Sequence, residues 1–346
     1  MTMTEITEKY KKDLDKLKIF EIINYSIAAI GVITWIIMYF CNINIILLVD
    51  IFVIVLIVDM IAVNLAYIKP QKKKIIEEGH NEIVKMIVNE KFPNCVYNPE
   101  MNLKDGITSA DIRSTGLFSK WTNAFNTKYN IKSIYKGVPF RFCSVESYDY
   151  DKYTIKSEGY ADPYDYREID VKNVAFKGCW FIFNCHIKLS SSIIIVSKHT
   201  KIEEELMYKQ KISPLCQIAT PNNDFNRLFS VFSYDIESPQ KLLTEKLMNN
   251  LFYFENKIRS AIYVYIDNGI VHVGVEHREG FFKPMLSIFD SVEKMIQSLY
   301  YDMNFIFDCL NTFDFSEYVT KAYTDFKLEN DSIFYTGKDV DTNYYI

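Results

Sequence analysis

The chain has 346 residues, a formal charge of −5, 49% hydrophobic residues and only 11 glycines. The acidic balance does not fit a nucleic-acid binder, and its 7 cysteines, odd in number and scattered, do not fit a disulfide-built domain. Roughly 270 residues follow Ile68, enough for one large or two small domains with real cores, so the chain is more than an anchor.

Residues 1–21 form a basic lead carrying Lys9, Lys11, Lys12, Lys16 and Lys18. Residues 22–68 hold two apolar runs, IINYSIAAIGVITWIIMYF and IILLVDIFVIVLIVDMIAVNLAY, joined at Cys41-Asn42-Ile43-Asn44. Each run reaches the roughly 20 residues that carry a helix across a bilayer core of about 30 Å. So short a linker only reverses direction, which predicts an antiparallel transmembrane hairpin. Lysines flank both outer ends (Lys69, Lys72, Lys73 and Lys74 on the far side) and none lies in the turn. The positive-inside rule then puts both termini in the cytoplasm and the chain in the inner or cytoplasmic membrane, where lipid headgroups meet the basic flanks.

The second run contains Asp50 and Asp59. Its Ile, Leu, Val and Phe favour insertion by about 7 kcal/mol, against about 2.5–3.5 kcal/mol for an Asp at the helix centre, so the span tolerates them. A hairpin closing between Phe40 and Ile45 pairs positions whose numbers sum to about 85, which sets Asp59 level with Ser26 and Asp50 level with Thr34 and Trp35. Hydroxyl and indole donors there would satisfy the carboxyls. The expectation is a hydrogen-bonded hairpin or the seam of a homo-oligomer, with a proton or ion path as the functional alternative.

Residues 69–91 place Ile76, Ile83 and Ile87 at helical spacing, with His80 on the same stripe as a packed residue. From Phe92 to Asn130, Pro93, Pro99 and Gly106 break the pattern into a loop-rich entry. From Ile131 the period shifts toward two, and the segments 138–145, 153–156, 171–189 and 192–197 read as strands of a meandering sheet. FKGCWFIFNCHIKL is apolar on both alternating faces, as in a central strand covered on two sides, with Cys179 and Cys185 as small hydrophobes on one of them. Ser238-Pro239 signals a helix start, with Leu243, Leu247 and Leu251 following and an end near Phe254. Two strands flank Asp267-Asn268-Gly269, where Asn-Gly supplies a tight turn. Alternation puts Val271, Val273 and Val275 inward, His277 with them and His272 on the opposite face. A long amphipathic helix runs from about Pro284 to Leu310, and 311–346 reads as an acidic, Tyr-rich tail. The fold expected is thus a two-helix transmembrane hairpin followed by an α+β cytoplasmic domain over 92–310, mostly antiparallel sheet with covering helices.

The sequence holds no phosphate loop, GxGxxG turn, HExxH or GxSxG elbow. No catalytic residue, metal site or cofactor is implied, and the expectation is a protein that is not an enzyme. DIRSTGLFSKW, YKGVPFRF followed by CSVES, FKGCWFIFN, DFNRLFSVFSYDIESPQKLLTEKLM, YIDNGIVHVGV and FFKPML resemble an uncharacterised bacterial membrane-anchored family, domain of unknown function no. 3137. The resemblance implies the same architecture and suggests a cell-envelope assembly with a LemA-type membrane protein as partner. The signature positions it points to, Gly116, Leu117, Phe118, Gly137 and Gly178, together with the turn residues Asn268 and Gly269, are structural and include no acid, base or ligand. The function expected is a membrane-anchored binding or scaffold module, with an oligomeric membrane effector or ion-path protein as the alternative.

Overall fold

The computed structural model describes residues 3–40, 46–93, 95–118, 124–156, 166–185, 187–267, 269–277, 280–282 and 292–318. The chain divides into two compact units, Met1–Ile87 with Lys283–Tyr301, and Val88–Phe282 with Asp302–Ile346.

In the first unit, α1 (Met3–Phe40) runs unbroken from the basic lead through the first apolar run. The second helix, α2 (Ile46–Val63), passes through a π-helical stretch (Asn64–Ile68) into α3 (Lys69–Lys91). Among the described residues, two helices are long and apolar enough to cross a membrane. The lead is helical because Ile6, Tyr10, Leu14 and Leu17 recur at three- and four-residue spacing and are buried. Tyr10 lies against Gly79 of α3, where a side chain would strike its ring. Glu82 hydrogen-bonds the Tyr10 phenol, and burial first, then this carboxylate, raises its pKa. In α3, Ile83 and Ile87 of the expected stripe are fully buried, and His80 is packed at 2% exposure.

The second unit is built on an antiparallel sheet of nine described strands. In chain order these are β1 (Val96–Asn98), β2 (Ala124–Tyr135), β3 (Val138–Lys156), β4 (Tyr166–Asn184), β5 (Ile193–Ser197), β6 (Cys216–Ile218), β7 (Phe229–Ser233), β8 (Ile262–Asp267) and β9 (Ile270–Glu276). They lie in the order β1-β2-β3-β4-β9-β8-β5-β7-β6. Cross-strand rows fix two apolar faces. One row on the first face joins Phe142, Phe181, Val273, Val264 and Ile195, all buried. The second face carries Cys143, Trp180, Tyr263 and Val196, covered by α4 (Ser109–Arg113) and α5 (Lys201–Lys209). The doubly apolar FKGCWFIFN pattern is therefore the middle of a sheet covered on both sides. The remaining helices are α6 (Asn223–Leu228), α7 (Glu237–Leu242), α8 (Glu245–Ile258) and α9 (Val292–Thr312), the last in the second unit from Asp302 onward.

Four expectations need correction. The 92–130 stretch is not a loop: it holds β1, α4 and the start of β2, whose alternation is hidden by a register shift between Lys128 and Ile131 with Tyr129 at φ 57°. Ser238 is not a helix cap. It lies inside α7, and a separate cap at Thr244, whose hydroxyl accepts from Leu247 N–H at 3.2 Å, starts α8. That helix runs on to Ile258, past the expected end near Phe254. The chain after 310 is not yet tail, because Phe313 and Phe315 are 1% exposed and their rings meet Phe254 and Phe183. The 283–291 part of the expected last helix and the 319–346 part of the expected tail lie outside the described residues.

Candidate functional site

The hairpin contains the acidic residues that the sequence singles out. Its register is close to the one expected: Asn24 Nδ2 donates to the Met60 carbonyl at 3.4 Å, Asn64 Nδ2 donates to the Tyr25 hydroxyl at 2.9 Å, and Gly31 lies beside Leu56. The predicted pairing of Asp59 with Ser26 does not form among the described residues. Asp59 and Ser26 are both exposed, and no hydrogen bond joins them among the described residues. Level and direction are separate properties: Asp59 is one residue from Met60, hence about 100° round the helix from the face that meets α1. Thr34 Oγ1 donates to the carbonyl of Ile30 in its own helix at 2.8 Å, and Trp35 is half-buried. The Asp50 side chain lies outside the described residues. Among the described residues, Asn24, Tyr25 and Asn64 make polar contacts between the two helices that sequence reasoning missed; two Asn at matching depth on facing helices were the available signal.

In the folded domain, the signature positions are structural. Lys136 (φ 49°) and Gly137 (φ 81°) form the two-residue turn between β2 and β3, where a positive φ at both positions matches the strand twist. Gly178 sits where any Cβ would strike the Val275 carbonyl oxygen of the neighbouring strand. Gly116 follows α4 and its carbonyl accepts from Lys209 Nζ at 3.0 Å. Leu117 is buried, and Phe118 packs its ring toward Phe176, Trp180 and Tyr263. The Gly269 carbonyl accepts from Cys185 N–H at 2.6 Å, and Asn268 lies outside the described residues.

What fastens DIRSTGLFSKW to the sheet is a buried polar knot. Asp111 Oδ2 accepts from the Thr108 N–H at 2.6 Å and hydroxyl at 2.8 Å, closing a capping box at the start of α4. Arg141 of β3 reaches Asp111 Oδ1 at 3.5 Å and the Gly106 carbonyl at 3.3 Å, with both charged side chains at most 3% exposed. Nearby, His272 accepts from Trp180 Nε1 at 3.4 Å, and burial pushes its pKa down to about 4. Arg141 was missed because it sits in YKGVPFRF as one charge among apolar residues; the Thr-x-x-Asp spacing at 108–111 was readable.

Two further carboxylates are tied up in the same way. Glu203 accepts from His199 N–H at 2.6 Å and Ser230 Oγ at 2.5 Å, holding α5 to the sheet. Asp235 accepts from Ser190 Oγ at 2.7 Å and Ser238 N–H at 2.7 Å, and these bonds hold its pKa down to about 2. The described cysteines are free thiols, and burial pushes Cys185 up to about 12. Among the described residues there is no group of three or more His, Cys, Asp or Glu placed to hold a metal ion. A crevice of about 360 Å³ opens beside Ser197, Lys198, Thr200, Glu255 and Arg259. Burial raises the Glu255 pKa, and Ser197 hydrogen-bonds its carboxylate.

Among the described strands, the β3–β4 ribbon extends past its neighbours in the sheet. Its residues pair from Asp149↔Asn173 to Lys156↔Tyr166, beyond the last β2 partner at Tyr148 and the last β9 partner at Gly178.

No curated protein and no solved structure matches the chain. DIRSTGLFSKW and YKGVPFRF lie before the segment for which a family is found. Residues 174–315, from within β4 to just past α9, match the family described as "Protein of unknown function (DUF3137)", the same family that the motifs of the folded domain resemble.

Proposed function

We propose that the protein is a membrane-anchored binding module. The α1–α2 hairpin spans the bilayer with its lysine-flanked ends in the cytoplasm, and the folded domain holds a protein or peptide partner at that surface. The observation that carries this reading is the ribbon. Over eight residue pairs, roughly 27 Å of strand, the outer backbone edges of β3 and β4 have no ladder partner among the described residues. Open edges of that length accept an added strand. A binding role is favoured over catalysis because Asp111, Arg141, Glu203 and Asp235 are all engaged in holding elements together. The family resemblance suggests a LemA-type membrane protein as the partner.

The test replaces residues 151–171 by Asn-Gly and compares full and shortened chains in affinity capture from native membranes under several mild detergents. The full chain should recover one reproducible partner and the shortened chain at least about ten-fold less, with little change in thermal midpoint. Recovery of the full chain alone in every detergent would sink the binding reading. An undiminished partner on the shortened chain would sink the ribbon's part in it.

A second reading, an oligomeric membrane effector or ion path, is favoured by one observation: Asp59 is exposed on an apolar span, where a carboxyl at the bilayer centre costs about 2.5–3.5 kcal/mol unless a second copy meets it. Native mass and liposome ion flux separate the two readings, since a monomer without flux leaves only the binding module.

A further inference from the structure

A cavity of about 340 Å³ lies in the first unit beside the π-helical stretch, and its lining is both apolar and charged. Met60, Ile61, Leu65 and Ile68 give it apolar surface, whereas Glu21, Lys69 and Lys72 give it charge. Tyr25 and Asn64, joined at 2.9 Å, complete the lining. A π turn holds one residue more than an α turn, which opens space beside a packed neighbour, and such turns recur at functional sites. The charges are also unusually arranged. Lys73 and Lys74 pair within their own helix with Glu77 and Glu78, but among the described residues no ion pair joins Glu21 to Lys69 or Lys72.

We propose that this cavity binds a single phospholipid with a phosphoethanolamine headgroup, an inference that rests on the membrane reading above. The phosphate is held by Lys69 and Lys72, the primary ammonium donates to Glu21, and the acyl chains run along Met60 and Leu65 toward the apolar span. The volume is at the small end of ligand pockets, which suits a headgroup and glycerol with the chains left in the bilayer. General attraction of basic flanks to an anionic surface explains the lysines but gives no place to the carboxylate. Glu21 would repel an anionic headgroup. A choline headgroup has no N–H to donate to it.

The experiment takes the full chain in detergent, strips its lipid, and offers equimolar phosphatidylethanolamine, phosphatidylglycerol and phosphatidylcholine, with bound lipid read by native mass spectrometry. Phosphatidylethanolamine should be retained about five-fold or more over either competitor. Lys69→Gln and Lys72→Gln should each weaken retention about five-fold. Glu21→Gln should erase the preference over phosphatidylcholine and raise phosphatidylglycerol binding. Glu21→Asp and Lys69→Arg keep the charges and should keep the lipid, which guards against variants that merely misfold. Equal retention of the three lipids, or an unchanged preference in Glu21→Gln, overturns the site. Flotation with liposomes reads the anchor separately: a chain that floats without discriminating lipids keeps the membrane reading and loses the site, and one that fails to float loses both.

Discussion

The hairpin and the sheet solve the same problem in opposite directions. Along the two apolar helices, Ile30, Ile33, Ile54 and Val58 are more than half exposed, while Asn24, Tyr25 and Asn64 make polar contacts between them. In the sheet, Phe140, Phe142, Phe181 and Trp180 are fully buried, and the buried charges of Asp111 and Arg141 are paired with each other, with Thr108 bonded to the carboxylate. The two patterns fit different surroundings: in the bilayer proposed for the hairpin, lipid takes apolar side chains freely, whereas water around the sheet does not. The lesson is that a polar contact should be cheap to remove from the hairpin, and a buried one expensive to remove from the sheet.

The largest test of that contrast is backbone contact in the sheet. Gly178→Val forces a side chain into the Val275 carbonyl and should cost at least about 4 kcal/mol, read as loss of the urea transition of the full chain in detergent. Asp111→Ala leaves Arg141 charged and buried without its carboxylate, and the expected loss is about 3–5 kcal/mol. If that variant melted like the native chain, the knot would contribute nothing and the contrast would fail.

Next comes pH. His272 titrates near 6.5 when unfolded and near 4 when folded, because burial disfavours the imidazolium. The unfolded chain therefore binds the extra proton between those values. The stability due to neutral His272 is fully present above pH 6.5 and is lost as pH falls toward 4, by about 3 kcal/mol. His272→Gln should flatten that part of the curve, and a slope the same as the native chain's would assign it to other groups. The smallest effect belongs to the hairpin: Asn64→Leu should weaken helix pairing by only about 0.5–1.5 kcal/mol, and a double-mutant cycle with Tyr25→Phe would show whether their hydrogen bond carries it.

What could be read from the sequence follows the same division. Hairpin register came from the length of the turn, and the valine face of β9 from alternation, since Val271, Val273 and Val275 are all fully buried. Both are one-dimensional rules applied where nothing interrupts them. The direction of Asp59 was not readable, because a rule for depth along a helix says nothing about rotation around it. The β2 strand was hidden by its own bulge at Lys128 to Ile131. Arg141 was hidden because its partner Asp111 lies thirty residues away on another element. Phe313 and Phe315 belong to no period, and only tertiary packing shows that they are core.

One consequence of the unbroken α1 is mechanical. At 1.5 Å per residue its 38 residues make a rod of about 57 Å, of which a bilayer core takes up about 30 Å. With the apolar part held in lipid as proposed, the remaining length acts as a lever with no joint to absorb rotation. A 10° change of tilt, well within what a change of bilayer thickness produces, swings the Met3 end sideways by about 5 Å. The packing of Tyr10 on Gly79 couples α3 to that swing, so membrane strain would reach the water-exposed end of this unit as displacement rather than be lost in a flexible neck.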